Sequence, residues 1–145
     1  MKNENPKVAI VFDGLFTRGG GERVLLTASR AFPNSTIYTT IYNAEDTFPE
    51  FKKSKIKTTW LNKFFNSEKK FKYTFLPLGI LASRSINLKD YDVILAITTN
   101  CAKYVKTNKN ALVINYCFTP FRLAWNPSSY TLYSQSKLFK RFILK

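Results

Sequence analysis

The chain contains no histidine, and that absence removes several chemistries at once. No Ser-His-Asp or Cys-His nucleophile pair can be assembled within it, and neither can a His-ligated zinc or a His general base. Cysteine is nearly absent: Cys101 and Cys117 are the two present, and their spacing fits neither a CxxC redox pair nor a zinc motif. They read as two reduced core thiols of an intracellular protein. No apolar run reaches the roughly 18–20 residues of a membrane span. Met1–Lys7 is polar and the short apolar run after it meets Asp13, which is unlike a secretory leader. These absences lead us to expect a soluble or peripherally attached protein with no metal site. Its chemistry must rest on carboxylates, backbone amides, Lys/Arg, hydroxyls or a partner.

What is present supports one folded domain over residues 1–145. The chain is 45% hydrophobic and 16% aromatic, and a chain of this size buries roughly 68–70% of its unfolded surface. The formal net charge is +14, unevenly spread. Residues 1–50 hold five bases and six acids, residues 51–92 ten bases and three acids, and residues 93–145 eight bases and no acid. Such asymmetry favours an anionic partner: a membrane surface, a phosphorylated ligand or nucleic acid.

The densest basic block is Phe51–Phe75, where Lys52, Lys53, Lys63, Lys69, Lys70 and Lys72 alternate with Trp60, Phe64, Phe71 and other rings. Lysines attract headgroup phosphates while aromatic rings settle at headgroup level, so the block suits an anionic leaflet. Stacked bases want the same ingredients, and a solvated face over core-directed rings gives the same pattern. All three readings stay open at this point.

Hydrophobic periodicity gives the architecture. Lys7–Phe12 reads as a buried first strand, Glu22–Phe32 as a helix stopped by Pro33-Asn34, and Ser35–Tyr42 as a second strand. Lys55–Thr58 is a weak third strand, and Thr59–Phe65 and Tyr73–Ile86 read as helices. Tyr91–Thr98 is the clearest strand in mid-chain, followed by a helical turn over Asn100–Lys106 and another buried strand at Ala111–Tyr116. Ser134–Lys145 places Leu138, Phe139, Phe142 and Ile143 on one face of a basic amphipathic tail helix, fit for a membrane interface or for packing against a further domain. Apolar strands alternating with helices specify an α/β fold with a mostly parallel sheet. Ligands in such sheets sit outside the strand carboxyl ends, where Asp13–Glu22, Thr98–Cys101 and Cys117–Trp125 fall.

Gly19, Gly20 and Gly21 separate the first strand from the first helix. Backbone N–H groups at a helix start, with no Cβ in the way, can approach a phosphate closely. The run is neither GxGxxG nor a Walker A loop, and by itself it is equally a plain turn. Its context is more specific. Asp13-Gly14-Leu15 with Arg18-Gly19-Gly20-Gly21-Glu22-Arg23-Val24 resembles the opening of the family-four retaining glycosyltransferases. Phe75-Leu76-Pro77-Leu78, Leu88-x-x-Tyr91-Asp92-Val93-Ile94, Ala102-Lys103 and Tyr116-Cys117-x-Thr119-Pro120-x-Arg122-x-Ala124-Trp125 are similar to that family in the same order.

The resemblance implies a Rossmann-like three-layer domain, the acceptor-side half of a two-domain GT-B enzyme. Such an enzyme moves a sugar from a nucleotide-sugar to a sugar or lipid-linked acceptor in cell-surface polysaccharide assembly, with no cofactor and no required metal. The glycine loop with Glu22 would approach the donor diphosphate, Asp13 and Asn100 would be catalytic, and Thr119, Arg122 and Trp125 would line the acceptor cleft. Lys52, Lys53, Trp60, Lys63, Lys69, Lys70 and Lys72 would face an anionic membrane from the cytoplasmic side. Two departures qualify this. The family's donor-binding domain with its E-x7-E pattern is not in the chain, which has no carboxylate after Asp92, so we expect an incomplete domain, inactive alone, with a dimer or partner subunit on the missing-domain face. Phe12, Asn100 and Phe118 stand where related sequences often have histidine, and asparagine donates a hydrogen bond but carries no proton-linked charge. Two other readings stay open: a non-catalytic membrane- or acceptor-binding module and, behind it, a basic nucleic-acid binder.

Overall fold

A computed structural model of the chain describes residues 6–65 and 78–119. Five parallel strands form one sheet: β1 (Val8–Phe12), β2 (Thr36–Thr39), β3 (Ile56–Thr58), β5 (Val93–Thr98) and β7 (Leu112–Cys117), in the spatial order β3-β2-β1-β5-β7. Two short strands, β4 (Asn87–Leu88) and β6 (Lys106–Thr107), pair separately. The 12-residue helix α1 (Gly20–Ala31) connects β1 to β2, residues 78–85 are helical, and one-turn 3-10 segments occupy Pro49–Lys53, Trp60–Lys63 and Ala102–Tyr104. This is an α/β domain of the Rossmann-like kind, as the alternation of apolar strands and helices requires.

β1 lies at the centre, and its alternating side chains serve both faces. Ile10 and Phe12 join Leu15, Leu25, Ile37, Phe51 and Ile97 under α1. Ala9 and Val11 join Ile86, Leu88, Ile94 and Ala102 on the opposite face. A third cluster, Ile41, Leu61, Ala82 and Cys101, ties residues 78–85 and the Trp60–Lys63 turn to the sheet's end. Removing buried atoms from β1, Ile10→Ala for example, costs about 2–5 kcal/mol at such a site.

The structure departs from the periodicity in three places. Residues 59–65 close into a single 3-10 turn, because Thr59 Oγ1 accepts the Leu61 N–H at 3.3 Å and Phe64 N–H returns to Leu61 O. The pairing of β4 with β6 has no period-2 signature, being two residues on each side. β7 forms where an apolar strand is expected, but all six of its residues are exposed. It is the last strand of the sheet and, among the described residues, nothing lies on its outer edge. Residues 73–77 and the tail at 134–145 lie outside the described residues.

Candidate functional site at the switch point

Strand order reverses between β1 and β5: the chain moves from β1 to β2 and β3 on one side, and from β5 to β7 on the other. Loops leaving neighbouring strands in opposite directions open a crevice at the carboxyl edge. Four segments meet there: Asp13 after β1, the glycine turn opening α1, residues 98–102 after β5, and Cys117–Thr119 after β7.

Asp13 bridges the reversal. Its carboxylate, in a residue 9% exposed, accepts five hydrogen bonds from residues 98–102. Oδ1 takes the Thr98 hydroxyl at 2.8 Å, Cys101 N–H at 2.8 Å and Ala102 N–H at 2.7 Å. Oδ2 takes Thr99 N–H at 2.7 Å and Asn100 N–H at 2.9 Å. Successive backbone amides curled around one anion form a nest, and here the anion belongs to the chain itself. Its carbonyl in turn accepts the Thr40 hydroxyl. A buried carboxylate needs such donors, since unpaired burial of a charge is prohibitive. The acceptor capacity of Asp13 is therefore taken up within the protein, and what it does in this state is fix the loop that carries Asn100.

Across the crevice, Gly19 is the N-cap of α1. Glycine has no side-chain acceptor, so Glu22 supplies the return half of a capping box: its Oε2 accepts Gly19 N–H at 3.0 Å, and its Oε1 accepts the Thr17 hydroxyl. The first intrahelical bond is Arg23 N–H to Gly19 O at 3.2 Å, so the N–H groups of Gly20, Gly21 and Glu22 precede the helix ladder. None of the described glycines has positive φ; the run is about space. A Cβ on Gly21 would meet the Phe118 and Phe12 rings at 3.4 Å, whereas one on Gly20 would meet nothing within 4 Å. Gly20 is the open approach to the helix start. Arg18 is not free to serve it: Nε donates to Thr47 O at 3.0 Å and an Nη donates to Glu45 O at 3.3 Å.

Asn100 and Asp13 are thus brought into contact, and Gly21 meets Phe12 and Phe118 in one wall. Phe118, one of the three positions where related sequences often have histidine, packs on the α1-side core and stacks edge-to-face on Tyr116 at 5.3 Å. Thr98–Cys101 is expected at the crevice as a loop, but of its residues only Asn100 is expected in a role; the donors to Asp13 from Thr98, Thr99, Cys101 and Ala102 are not. Thr98 takes part through its hydroxyl and the other three through backbone amides, whose only trace in the sequence is the small-residue run after a strand. Cys101 is buried, and burial, reinforced by the Asp13 carboxylate beside it, pushes its thiol well above the ordinary 9.0. Thr119 is half-buried and its carbonyl accepts the Cys117 thiol at 3.4 Å. Arg122 and Trp125 lie outside the described residues.

The basic block is only partly described. Lys52, Lys53 and Lys63 are exposed, and Lys52 is paired with Glu45 at 2.9 Å. Trp60 and Phe64, 41% and 66% exposed, stack edge-to-face at 6.4 Å on either side of Lys63 in the sequence. Lys69, Lys70 and Lys72 lie outside the described residues. Among the described residues no helix is long and apolar enough to cross a membrane, and no group of three or more His, Cys, Asp or Glu could hold a metal. No protein-family model, curated protein sequence or solved structure matches the chain.

Proposed function

We propose that this chain is the acceptor-side domain of a retaining, GT-B-type glycosyltransferase. It works with a donor-binding domain on a nucleotide-sugar and a sugar or lipid-linked acceptor. The observation that carries the reading is the meeting, at a switch-point crevice, of an open glycine-lined helix start with the Asp13-tethered loop that contains Asn100. Unladdered amides at Gly20, Gly21 and Glu22 offer donors to a diphosphate. Asn100 adds a neutral amide, and Asp13 acts on the ligand through the loop it positions. The family resemblance in the ordered motifs points the same way. The exposed Trp60–Phe64 pair with Lys63 supports seating at an anionic membrane surface, where a lipid-linked acceptor resides.

The test uses Gly20→Glu. Nothing lies within 4 Å of a Cβ at Gly20, and an acid in the first turn suits the helix dipole, so the fold is retained while the phosphate approach is blocked. Titration of the isotopically labelled chain with a nucleoside diphosphate should shift the amide resonances of residues 19–22 and 99–101, and Gly20→Glu should abolish the shifts. Equal shifts in both proteins, or none in either, remove the loop from any donor site.

A second reading, a membrane-binding module without catalysis, is favoured by the Trp60–Phe64 pair alone. Sedimentation with anionic vesicles, lost on Trp60→Ser with Phe64→Ser while nucleoside diphosphate leaves the crevice amides unmoved, would select it. Salt-sensitive binding to single-stranded nucleic acid with no vesicle binding would replace both.

A further inference from the structure

β7 has the composition of a fully buried parallel strand, yet one long edge and both faces are open among the described residues. Its register with β5 runs from Val93↔Leu112 to Thr98↔Cys117, which places Leu112, Ile114 and Tyr116 on the α1 side of the sheet with Leu95 and Ile97. Leu112 is 59% exposed and Tyr116 51%. Next to them a groove of about 390 Å³ separates α1 from the sheet, walled by Val24, Thr27, Ala28, Leu95, Ile97 and Tyr116. Groove and strand together make a contiguous apolar surface of the kind that folded domains cover.

We propose that the chain's own residues 134–145 cover it. These residues lie outside the described ones, and their sequence sets Leu138, Phe139, Phe142 and Ile143 at helical spacing against Lys137, Lys140, Arg141 and Lys145. Laid in the groove, the apolar side meets α1 and β7 while the four cations stay in water. Reach is ample: the twenty or so residues between Cys117 and Leu138 span up to about 66 Å, several times the length of β7. Tethering gives the segment an effective concentration near the millimolar range, far above that of a free partner, and two copies each carrying +14 repel. A lipid surface fits less well, because the groove's rim carries one cation, Arg23. The inference is independent of what the crevice binds.

The test is photo-crosslinking in the full-length chain, with p-benzoylphenylalanine replacing Phe139 or, separately, Phe142, on an equal mixture of light- and heavy-isotope protein. Within-chain adducts to Val24–Ala31 and Leu112–Tyr116 are expected. Adducts joining light to heavy chains at those residues would give the face to a second copy and overturn the proposal, as would adducts elsewhere or none. A second readout leaves the described core untouched. Phe139→Asp with Phe142→Asp should speed hydrogen exchange of the β7 amides roughly tenfold or more, since uncovering an edge strand lowers its opening energy; unchanged exchange overturns the proposal.

Discussion

Asp13→Asn is the sharpest probe of the crevice. The amide keeps one acceptor oxygen where the carboxylate has two. With that oxygen turned to the side holding Thr98, Cys101 and Ala102, the NH2 group faces the N–H of Thr99 and of Asn100. Asn100 N–H retains the Thr98 hydroxyl at 3.0 Å; Thr99 N–H has no such substitute. Orphaning a half-buried donor such as Thr99 N–H costs about 1 kcal/mol, at the low end for buried donors, and each remaining bond loses about 1 kcal/mol when its acceptor is no longer ionised. Easier burial of a neutral group offsets part of this, so the net expectation is about 3–4 kcal/mol out of the 5–15 kcal/mol typical of a domain. Urea unfolding followed by tryptophan fluorescence reads the change. Thr98→Val, which removes a single hydroxyl from the same carboxylate, should cost about 1–2 kcal/mol and so rank below it. A loss under about 1 kcal/mol for Asp13→Asn with an unchanged m-value, or the reverse ranking, would refute the nest as the anchor of residues 98–102.

Other expectations follow from single contacts. Gly21→Ala should be neutral or stabilising by up to about 1 kcal/mol, because its Cβ only touches the Phe12 and Phe118 rings and alanine is the better helix former, whereas Gly21→Val overpacks that wall and should cost about 1–3 kcal/mol in thermal unfolding. An alkylating reagent at pH 8 should label Cys117 alone in the native protein and both cysteines in denaturant, since burial and the neighbouring Asp13 keep Cys101 protonated; rapid native labelling of Cys101 would contradict its packing. Tyr38 and Tyr91 share a 3.0 Å hydroxyl contact. Burial, with the hydrogen bond to Tyr91, pushes Tyr38 above the ordinary 10.0. At Tyr91 burial is outweighed by the Tyr38 and Thr36 hydrogen bonds and the Lys57 and Lys7 charges, so it ionises below 10.0. Ultraviolet titration should then show Tyr91 moving upward in Tyr38→Phe. In the folded wild type the raised Tyr38 contributes stability that is present below pH 10 and lost as the pH climbs further.

Much of the fold was legible because it follows from burial. Val8–Phe12 and Val93–Thr98 are apolar on both faces, as suits a central parallel strand, and Gly20–Ala31 carries its apolar stripe at helical spacing. What escaped the pattern has other causes. The 3-10 turn at Trp60–Lys63 is decided by one threonine side chain, and β4–β6 by a tertiary contact between two dipeptides. The exposure of β7 depends on neighbours, and apolarity alone cannot report an absent one. At the site, the glycines, Asp13 and Asn100 were visible as residue types at strand ends. That Asp13 faces inward, toward five donors on a loop 85 to 89 residues away, was not, because backbone amides carry no signature in a sequence.

That inward turn decides what chemistry the crevice can offer. The Asp13 carboxylate oxygens are occupied by its nest, and those of Glu22 by Gly19 N–H and the Thr17 hydroxyl. Histidine is absent from the chain, and the Cys101 thiol is buried and held protonated. What the helix start leaves at the opening is a set of donors: the unladdered amides of Gly20, Gly21 and Glu22. A site made of fixed donors suits a ligand that brings or develops negative charge, since preorganised dipoles stabilise charge without reorganising. Under the proposed function, the domain would hold and orient an anionic group at the switch point. If the proposed function holds, Gly20→Glu should abolish nucleoside diphosphate binding in the amide-shift titration.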